Sequence, residues 1–149
     1  FGMEMRVPRT FELGECVVEP ARVGMRFDGP RSPDRWIFRR YGMVGTWLKT
    51  PVREWLASQA GELARNVKFK PGGGGAAQLE RIEGEWRPKG LLLRKGAYAA
   101  AAWKSPEDGR LYHAICITGR KSRRFHPAAA DAAMTACPEF LRVPAEGDA

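Results

Sequence analysis

A predicted β-hairpin in the last third of the domain constrains the fold more than any other feature of the sequence. Two runs of alternating side chains, 97–104 and 110–119, flank a turn at 105–109 that contains proline, aspartate and glycine. Such turn residues between two alternating runs are typical of antiparallel strands. The first run is rich in alanine, whose small side chains would let another backbone, a helix or a flat ligand lie close to the sheet. On the second strand, one face carries Leu111, His113, Ile115 and Ile117, and the other carries Tyr112, Ala114, Cys116 and Thr118.

Further strands are expected in the first part of the chain. Apolar residues at odd positions in 16–28 predict a strand pair, or one bent strand, interrupted near Pro20. A turn with two prolines then leads to a strand at 36–44. The segment 79–86 fits a strand or a helical turn. Alternation in the strand at 36–44 places Trp36, Phe38 and Arg40 on one side and Ile37, Arg39 and Tyr41 on the other.

Two helices are predicted. Thr50 is a favourable N-cap, Pro51 suits the first helical position, and apolar side chains at helical spacing extend this helix over 51–65. An alanine-rich segment followed by proline predicts a short C-terminal helix at 127–137. The sequence therefore predicts an α+β fold built on an antiparallel β-sheet or a partly open barrel.

The chain has 149 residues, the size of one domain. We expect an N-terminal arm at 1–15, a single domain at 16–142 and a polar tail at 143–149. A glycine-rich insertion at 71–77 interrupts the domain. It lacks the Lys-Ser or Lys-Thr pair that follows the glycines of a phosphate-binding loop, so a plain linker is the favoured interpretation.

The chain is strongly basic, with a formal net charge of +8. Such a charge attracts phosphate polymers, anionic membranes or acidic partners. The alternative is a compositional bias carried on a solvated surface, because arginine, alanine, glycine and proline all have GC-rich codons. No stretch approaches the roughly 20 apolar residues of a transmembrane segment.

Three cysteines without a Cys-x-x-Cys pair favour an intracellular, reducing compartment. The chain begins at Phe1, which is consistent with a removed organellar presequence. The mitochondrial matrix is therefore favoured over the bacterial cytoplasm.

No catalytic or metal site is expected. Two histidines and two cysteines invite a test for zinc, but positions 113 and 116 differ by an odd number and point to opposite faces of a strand. No residue near a Cys-His pair would orient it as a nucleophile, and the pair Glu83 and Glu85 fits a solvated face. The sequence thus predicts no cofactor and no enzymatic activity. The four residues weighed for zinc are His113, Cys116, His126 and Cys137.

Aromatic side chains are interleaved with basic ones along the predicted strands. Flat rings stack on unpaired bases and cations neutralise the backbone, so this combination favours single-stranded nucleic acid. The alternative is that the tryptophans fill a small core. The predicted stacking residues are Trp36, Trp103 and Tyr112, and the predicted phosphate contacts are Arg39, Arg40, Arg94, Lys95, Arg120, Lys121, Arg123 and Arg124.

Two short stretches resemble the later half of the OB fold in single-stranded DNA-binding proteins. They are Leu93-Arg94-Lys95-Gly96 and the run from Trp103 to Tyr112, which includes Asp108-Gly109. In that family a Leu-x-Lys-Gly turn enters a strand, a tryptophan precedes an Asp-Gly loop, and an aromatic residue begins the return strand. The resemblance implies that Trp103 stacks on a base. A glycine of the family pattern is absent from 97–102, and the helix predicted at 51–65 does not directly precede the turn at Gly96 as it does in the family. An OB fold with an insertion between them and another sheet-and-helix fold, such as a Whirly-type one, therefore both stay open.

Two functions are therefore expected. The first is non-catalytic binding of single-stranded DNA or RNA through a basic and aromatic sheet face, alone or within a larger particle. The alternative is a structural accessory subunit of a large mitochondrial assembly, such as a ribosome or a respiratory complex, with protein partners.

Overall fold

The fold is a seven-stranded antiparallel sheet with two short helices. This computed structural model describes residues 7, 9–31, 33–61, 63–71, 79–86 and 96–119. In chain order, the elements are β1 (Glu12–Glu19), β2 (Arg22–Asp28), β3 (Arg35–Tyr41), α1 (Val44–Trp47), α2 (Val52–Ala60), β4 (Ala64–Lys70), β5 (Glu80–Trp86), β6 (Gly96–Lys104) and β7 (Leu111–Gly119).

The sheet joins two antiparallel meanders side by side. Its strand order is β1-β2-β3-β7-β6-β5-β4, and the helices connect β3 to β4. The two meanders meet where β3 pairs with β7. Within the described residues β1 and β4 are the two edges, so the sheet is not closed into a barrel. The predicted combination of an antiparallel sheet with helices is confirmed, without the predicted positions of the helices.

Each strand alternates its side chains between two faces, and each face has its own core cluster. We call the side against which α2 packs the helix face. There, Leu56 and Ala60 of α2 lie in one cluster with Ile82, Tyr98 and Ile115 of the sheet. The second cluster, on the opposite face, contains Trp36, Leu79, Ala101, Trp103, Tyr112, Ala114 and Cys116.

The alanine-rich strand β6 explains the close approach of α2. Ala100 and Ala102 are fully buried on the helix face, in the same cluster as Leu56. Side chains of this size let the helix lie directly on the sheet. The expectation that these alanines admit another element is therefore confirmed for a helix.

The hairpin β6–β7 is confirmed, and so is the strand pair β1–β2 with its break at Pro20. The undecided segment 79–86 is largely a strand. The strand predicted at 36–44 ends at Tyr41, because Met43 adopts a left-handed conformation and α1 begins at Val44. Four residues of the predicted N-terminal arm, 12–15, belong to β1.

The helix predicted at 51–65 is too long. The observed α2 ends at Ala60, and β4 begins at Ala64. Cross-strand pairs of opposite charge, Arg65 with Glu85 and Lys68 with Glu83, favour the strand there. Leu63 and Ala64 still pack with Leu56, so the apolar spacing identified core residues but not their backbone conformation.

Several predicted segments lie outside the described residues: the helix at 127–137, most of the glycine-rich insertion and the tail at 143–149. In the part of the chain that is described, no helix has the length and apolar character needed to cross a membrane.

Candidate nucleic-acid interface

One row of side chains crosses the sheet on the helix face, and its outer part forms the floor of a groove. Strand register places Val17, Gly24, Arg39 and His113 side by side, on β1, β2, β3 and β7. Directly opposed residues of antiparallel strands point to the same face. Among the described elements, α2 packs mainly against β4, β5 and β6, and the part of this row on β1, β2 and β3 borders an open groove.

The groove lies over Gly24. It has a volume of about 240 Å³, and its walls include Arg22, Arg26 and Arg35. Gly24 leaves space in the groove floor, because it has no side chain to fill the gap between Val17 and Arg39. A Cβ atom at this position would meet only ordinary contacts, at 3.8 Å from Arg39 Cγ and from the Phe38 carbonyl oxygen.

Three of the groove's four arginines pair with carboxylates. Arg22 Nε lies 2.9 Å from Glu19 Oε2. Arg26 contacts Glu15 Oε2 at 2.9 Å and Asp28 Oδ2 at 3.1 Å, and Arg35 Nε lies 3.8 Å from Asp28 Oδ1. All of these side chains are partly exposed, and ion pairs of this kind contribute about 0–1 kcal/mol. A phosphate can therefore compete with the carboxylates for these arginines.

Arg39 is the exception. It is half-buried, and it has no carboxylate within ion-pair distance among the residues that the structure describes. Its charge instead acts on two buried neutral groups. Burial raises the pKa of Tyr98 to about 12 and the charge of Arg39 opposes this rise, whereas burial and the charge of Arg39 both lower the pKa of His113. A partly desolvated cation without a counterion favours the approach of an anion.

His113 lies at the inner end of the row, beneath α2. Its ring centroid is 5.0 Å from that of Trp55, in an edge-to-face arrangement. Its side chain is buried, and neither ring nitrogen has a hydrogen-bond partner within the described part of the chain. Burial, and secondarily the charge of Arg39, lowers the pKa of His113 to about 3. The imidazole is therefore neutral at physiological pH and adds no charge to the groove.

A cluster of aromatic rings adjoins the Arg22 end of the groove. Tyr41 is the register partner of Arg22, and its ring centroid lies 5.6 Å from those of Trp47 and Trp55. Trp47 retains 38% exposure, and its Nε1 donates a hydrogen bond to the Gly42 carbonyl oxygen at 3.0 Å. The turn at Gly42 thus fixes the orientation of the exposed indole. We call Tyr41, Trp47 and Trp55 the ring cluster.

The predicted stacking residues lie on the opposite face and are buried. Trp36 and Trp103 are each 4% exposed and Tyr112 is 7% exposed. The rings of Trp103 and Tyr112 stack on each other, with centroids 5.5 Å apart and planes inclined by 11°. The expectation of exposed ring faces at these three positions is wrong, because each ring packs within the protein.

The predicted cations are separated by the sheet. Arg39 lines the groove, whereas Arg40 is buried on the opposite face as the register partner of Tyr112. The alternation of side chains along the strand at 36–44 predicted that Arg39 and Arg40 would lie on opposite faces. The remaining predicted contacts, Arg94, Lys95, Arg120, Lys121, Arg123 and Arg124, lie outside the described residues.

Sequence reasoning missed Arg22, Arg26, Arg35 and Trp47. The arginines had a detectable signal, because positions 22, 24 and 26 and positions 35, 37 and 39 each share one face of a strand. Reading these two strands together would have revealed four arginines around a glycine. Trp47 had no such signal, since its position depends on a helix of only four residues.

The described residues contain no group of three side chains suited to hold a metal ion. His113 faces α2, and Cys116 lies in the cluster on the opposite face. Burial raises the pKa of the Cys116 thiol to about 12, so it is protonated at neutral pH. The groove offers binding through charge, hydrogen bonds and ring contacts.

Comparison with protein-family models, with curated proteins and with solved structures found no match. The resemblance to OB-fold proteins therefore stays a prediction from the residues that carry it.

The buried imidazole predicts a specific dependence of stability on pH. The ordinary pKa of 6.5 applies to His113 in the unfolded chain, and the folded value is about 3. Between these values the unfolded state binds more protons, so the free energy of unfolding falls as the pH falls. Urea unfolding across this window should show a loss, on the order of a few kcal/mol, that the variant His113→Gln lacks. Parallel pH profiles for the two proteins would contradict the buried neutral state.

Proposed function

We propose that this protein binds single-stranded nucleic acid through the groove and the adjoining ring cluster, and that it catalyses no reaction. The observation that carries the proposal is Arg39, a half-buried cation without a carboxylate partner in the described chain, which lies on the same face as an exposed indole. Groove and rings are continuous, because Arg22 and Tyr41 are neighbours across β2 and β3.

The ring cluster favours a single strand over a duplex. In a single strand the bases can leave the stack and lie against an aromatic side chain, whereas in a duplex they are already stacked and paired. Trp47 is the ring of the cluster with the most accessible position, on a short helix at the molecular surface. The net charge of +8 adds long-range attraction to any polyanion.

A relationship to the OB fold belongs to this proposal as well. The hairpin that carries the resemblance has formed between β6 and β7, with Gly109 at a positive φ in its loop. Trp103 differs from the family's stacking role, since its ring contacts Tyr112. We propose a reducing compartment such as the mitochondrial matrix as the location, supported by two free cysteines, Cys16 and Cys116.

Replacing Trp47 tests the ring contact. The variant Trp47→Ala should weaken binding of a labelled unstructured oligonucleotide by roughly five- to hundredfold, because one stacked base contributes about 1–3 kcal/mol. Phe69→Ala is the matched control, since both rings are 38% exposed and Phe69 lies on the far edge strand β4. Fluorescence anisotropy measures both affinities.

The same titration, repeated from low to physiological salt, tests the electrostatic component. Affinity should fall as salt rises, because each neutralised phosphate releases counterions. Equal losses for the two variants, or an affinity that does not respond to salt, would contradict the proposal.

An exposed apolar strip favours a second candidate function, that of an accessory subunit. On the edge strand β1, Leu13 is 57% exposed and Val18 is 72% exposed, and both point away from the groove. Exposed apolar surface on an edge strand is typical of a contact with another protein. The two candidate functions use opposite faces of the sheet.

Gradient sedimentation of a native extract separates them. A subunit should sediment with a large particle, and the double variant Leu13→Lys, Val18→Lys should remain in the soluble fractions while keeping its affinity for the oligonucleotide. Release of the unmodified protein by nuclease, with the double variant still held in the particle, would show that nucleic acid and not the apolar strip holds it, which would count against the subunit function.

A further inference from the structure

The shape of the groove restricts what it can hold. Gly24, which has no side chain, lies on its floor, with Arg39 on one side and Val17 on the other. A volume of about 240 Å³ admits a phosphate group with its attached sugar oxygens but not a stacked pair of nucleosides. Arginine side chains, which bind phosphate oxygens through planar pairs of N–H groups, form the walls.

The charge of the groove restricts how many phosphates it can hold. Four arginines face three carboxylates, Glu15, Glu19 and Asp28. These carboxylates engage Arg22, Arg26 and Arg35, so among the residues that the structure describes Arg39 is the groove cation left to be neutralised. One monoanionic phosphodiester balances the groove, and a second would lie against the carboxylates.

The position of Arg39 links the phosphate to the rings. On β3, Arg39 and Tyr41 are two residues apart and therefore point to the same face. Tyr41 contacts Trp47 through the ring pair described above. A strand with one phosphate at Arg39 would thus carry its adjoining base toward Tyr41 and Trp47.

We propose that the groove over Gly24 is a subsite for one backbone phosphodiester, with Arg39 as its principal cation and Tyr41 and Trp47 as the contact for the adjoining base. Glu15 and Glu19 hold Arg26 and Arg22 and so limit the affinity. This inference rests on the proposed function and assigns its specific residues.

Filling the groove floor is the most direct test. Gly24→Val places two methyl groups where the phosphate would lie, and it should weaken binding of a labelled unstructured oligonucleotide about tenfold or more. Gly24→Ala is the control at the same position, because a Cβ there meets only contacts of 3.8 Å. Gly24→Ala should lose less affinity for the oligonucleotide than Gly24→Val. Thermal unfolding should show both variants folded, since valine favours strand structure and alanine is less unfavourable there than glycine.

Charge variants supply independent evidence. Arg39→Gln should weaken binding and reduce the slope of log affinity against log salt by about 0.7, the value for one phosphate of a single strand. Arg53→Gln removes the same charge from the exposed side of α2, where Arg53 lies over the Phe69 ring, and should change the slope less. Glu15→Gln should raise the affinity, a result that misfolding cannot produce.

Competition experiments test whether the groove binds a phosphate of a nucleic acid or any free phosphate ion. Inorganic phosphate and a dinucleotide both offer the anion, but only the dinucleotide offers a base next to it. The dinucleotide should displace the oligonucleotide more effectively, and Trp47→Ala should remove this advantage. Equal competition by the two ligands would overturn the link between the phosphate and the rings.

Failure of the subsite and failure of the function give different results. If the unmodified protein does not bind the oligonucleotide, the proposed function fails. If it binds, but Gly24→Val and Arg39→Gln match the unmodified protein and Arg53→Gln, the function stands and the subsite is refuted.

Discussion

The packing of α2 on one part of one face of the sheet determines where the other functional groups lie. Leu56 and Ala60 are fully buried against the sheet, and the small side chains of β6 let the helix approach closely. Because α2 has only nine residues, it covers β4, β5 and β6 and reaches the middle of the sheet through Trp55. Among the described residues, the helix face therefore stays open over β1, β2 and the part of β3 around Arg35 and Arg39, and arginines occupy it.

The boundary between the covered and open parts of this face runs between His113 and Arg39. These two residues are register partners, yet their surroundings differ completely. His113 is buried beneath Trp55 and is neutral, whereas Arg39 is half-buried and charged. Placing the cation at the edge of the apolar region raises its interaction with an incoming anion, since the region contains little solvent to screen it. The same boundary brings the ring cluster next to the groove.

Sequence patterns determined faces correctly but not what covers each face. Alternation along β3 separated Arg39 from Arg40, and the turn residues at 105–109 located the hairpin. Burial of Trp103 was not predictable in this way, because it depends on packing between elements distant in sequence. Local rules place Trp103 and Tyr112 opposite each other, but they do not reveal that the two rings stack on each other.

The same limit applies to the candidate site. Trp47 joins the ring cluster beside the groove through a left-handed turn at Met43 and a four-residue helix, features too short to produce a periodic pattern. Gly24 lies within β2 between Arg22 and Arg26, and its importance emerges only when the register places it beside Arg39. Sites that depend on pairing between strands are visible in sequence only once the pairing is known.

Photo-crosslinking of a bound oligonucleotide, followed by peptide mapping, tests the central claim most directly. If the open helix face binds the strand, crosslinks will map to the tryptic peptide 41–49, which contains both Tyr41 and Trp47. Crosslinks that avoid this peptide and map instead to the peptides of Trp103 or Tyr112 would show that the opposite face binds, and would contradict the account.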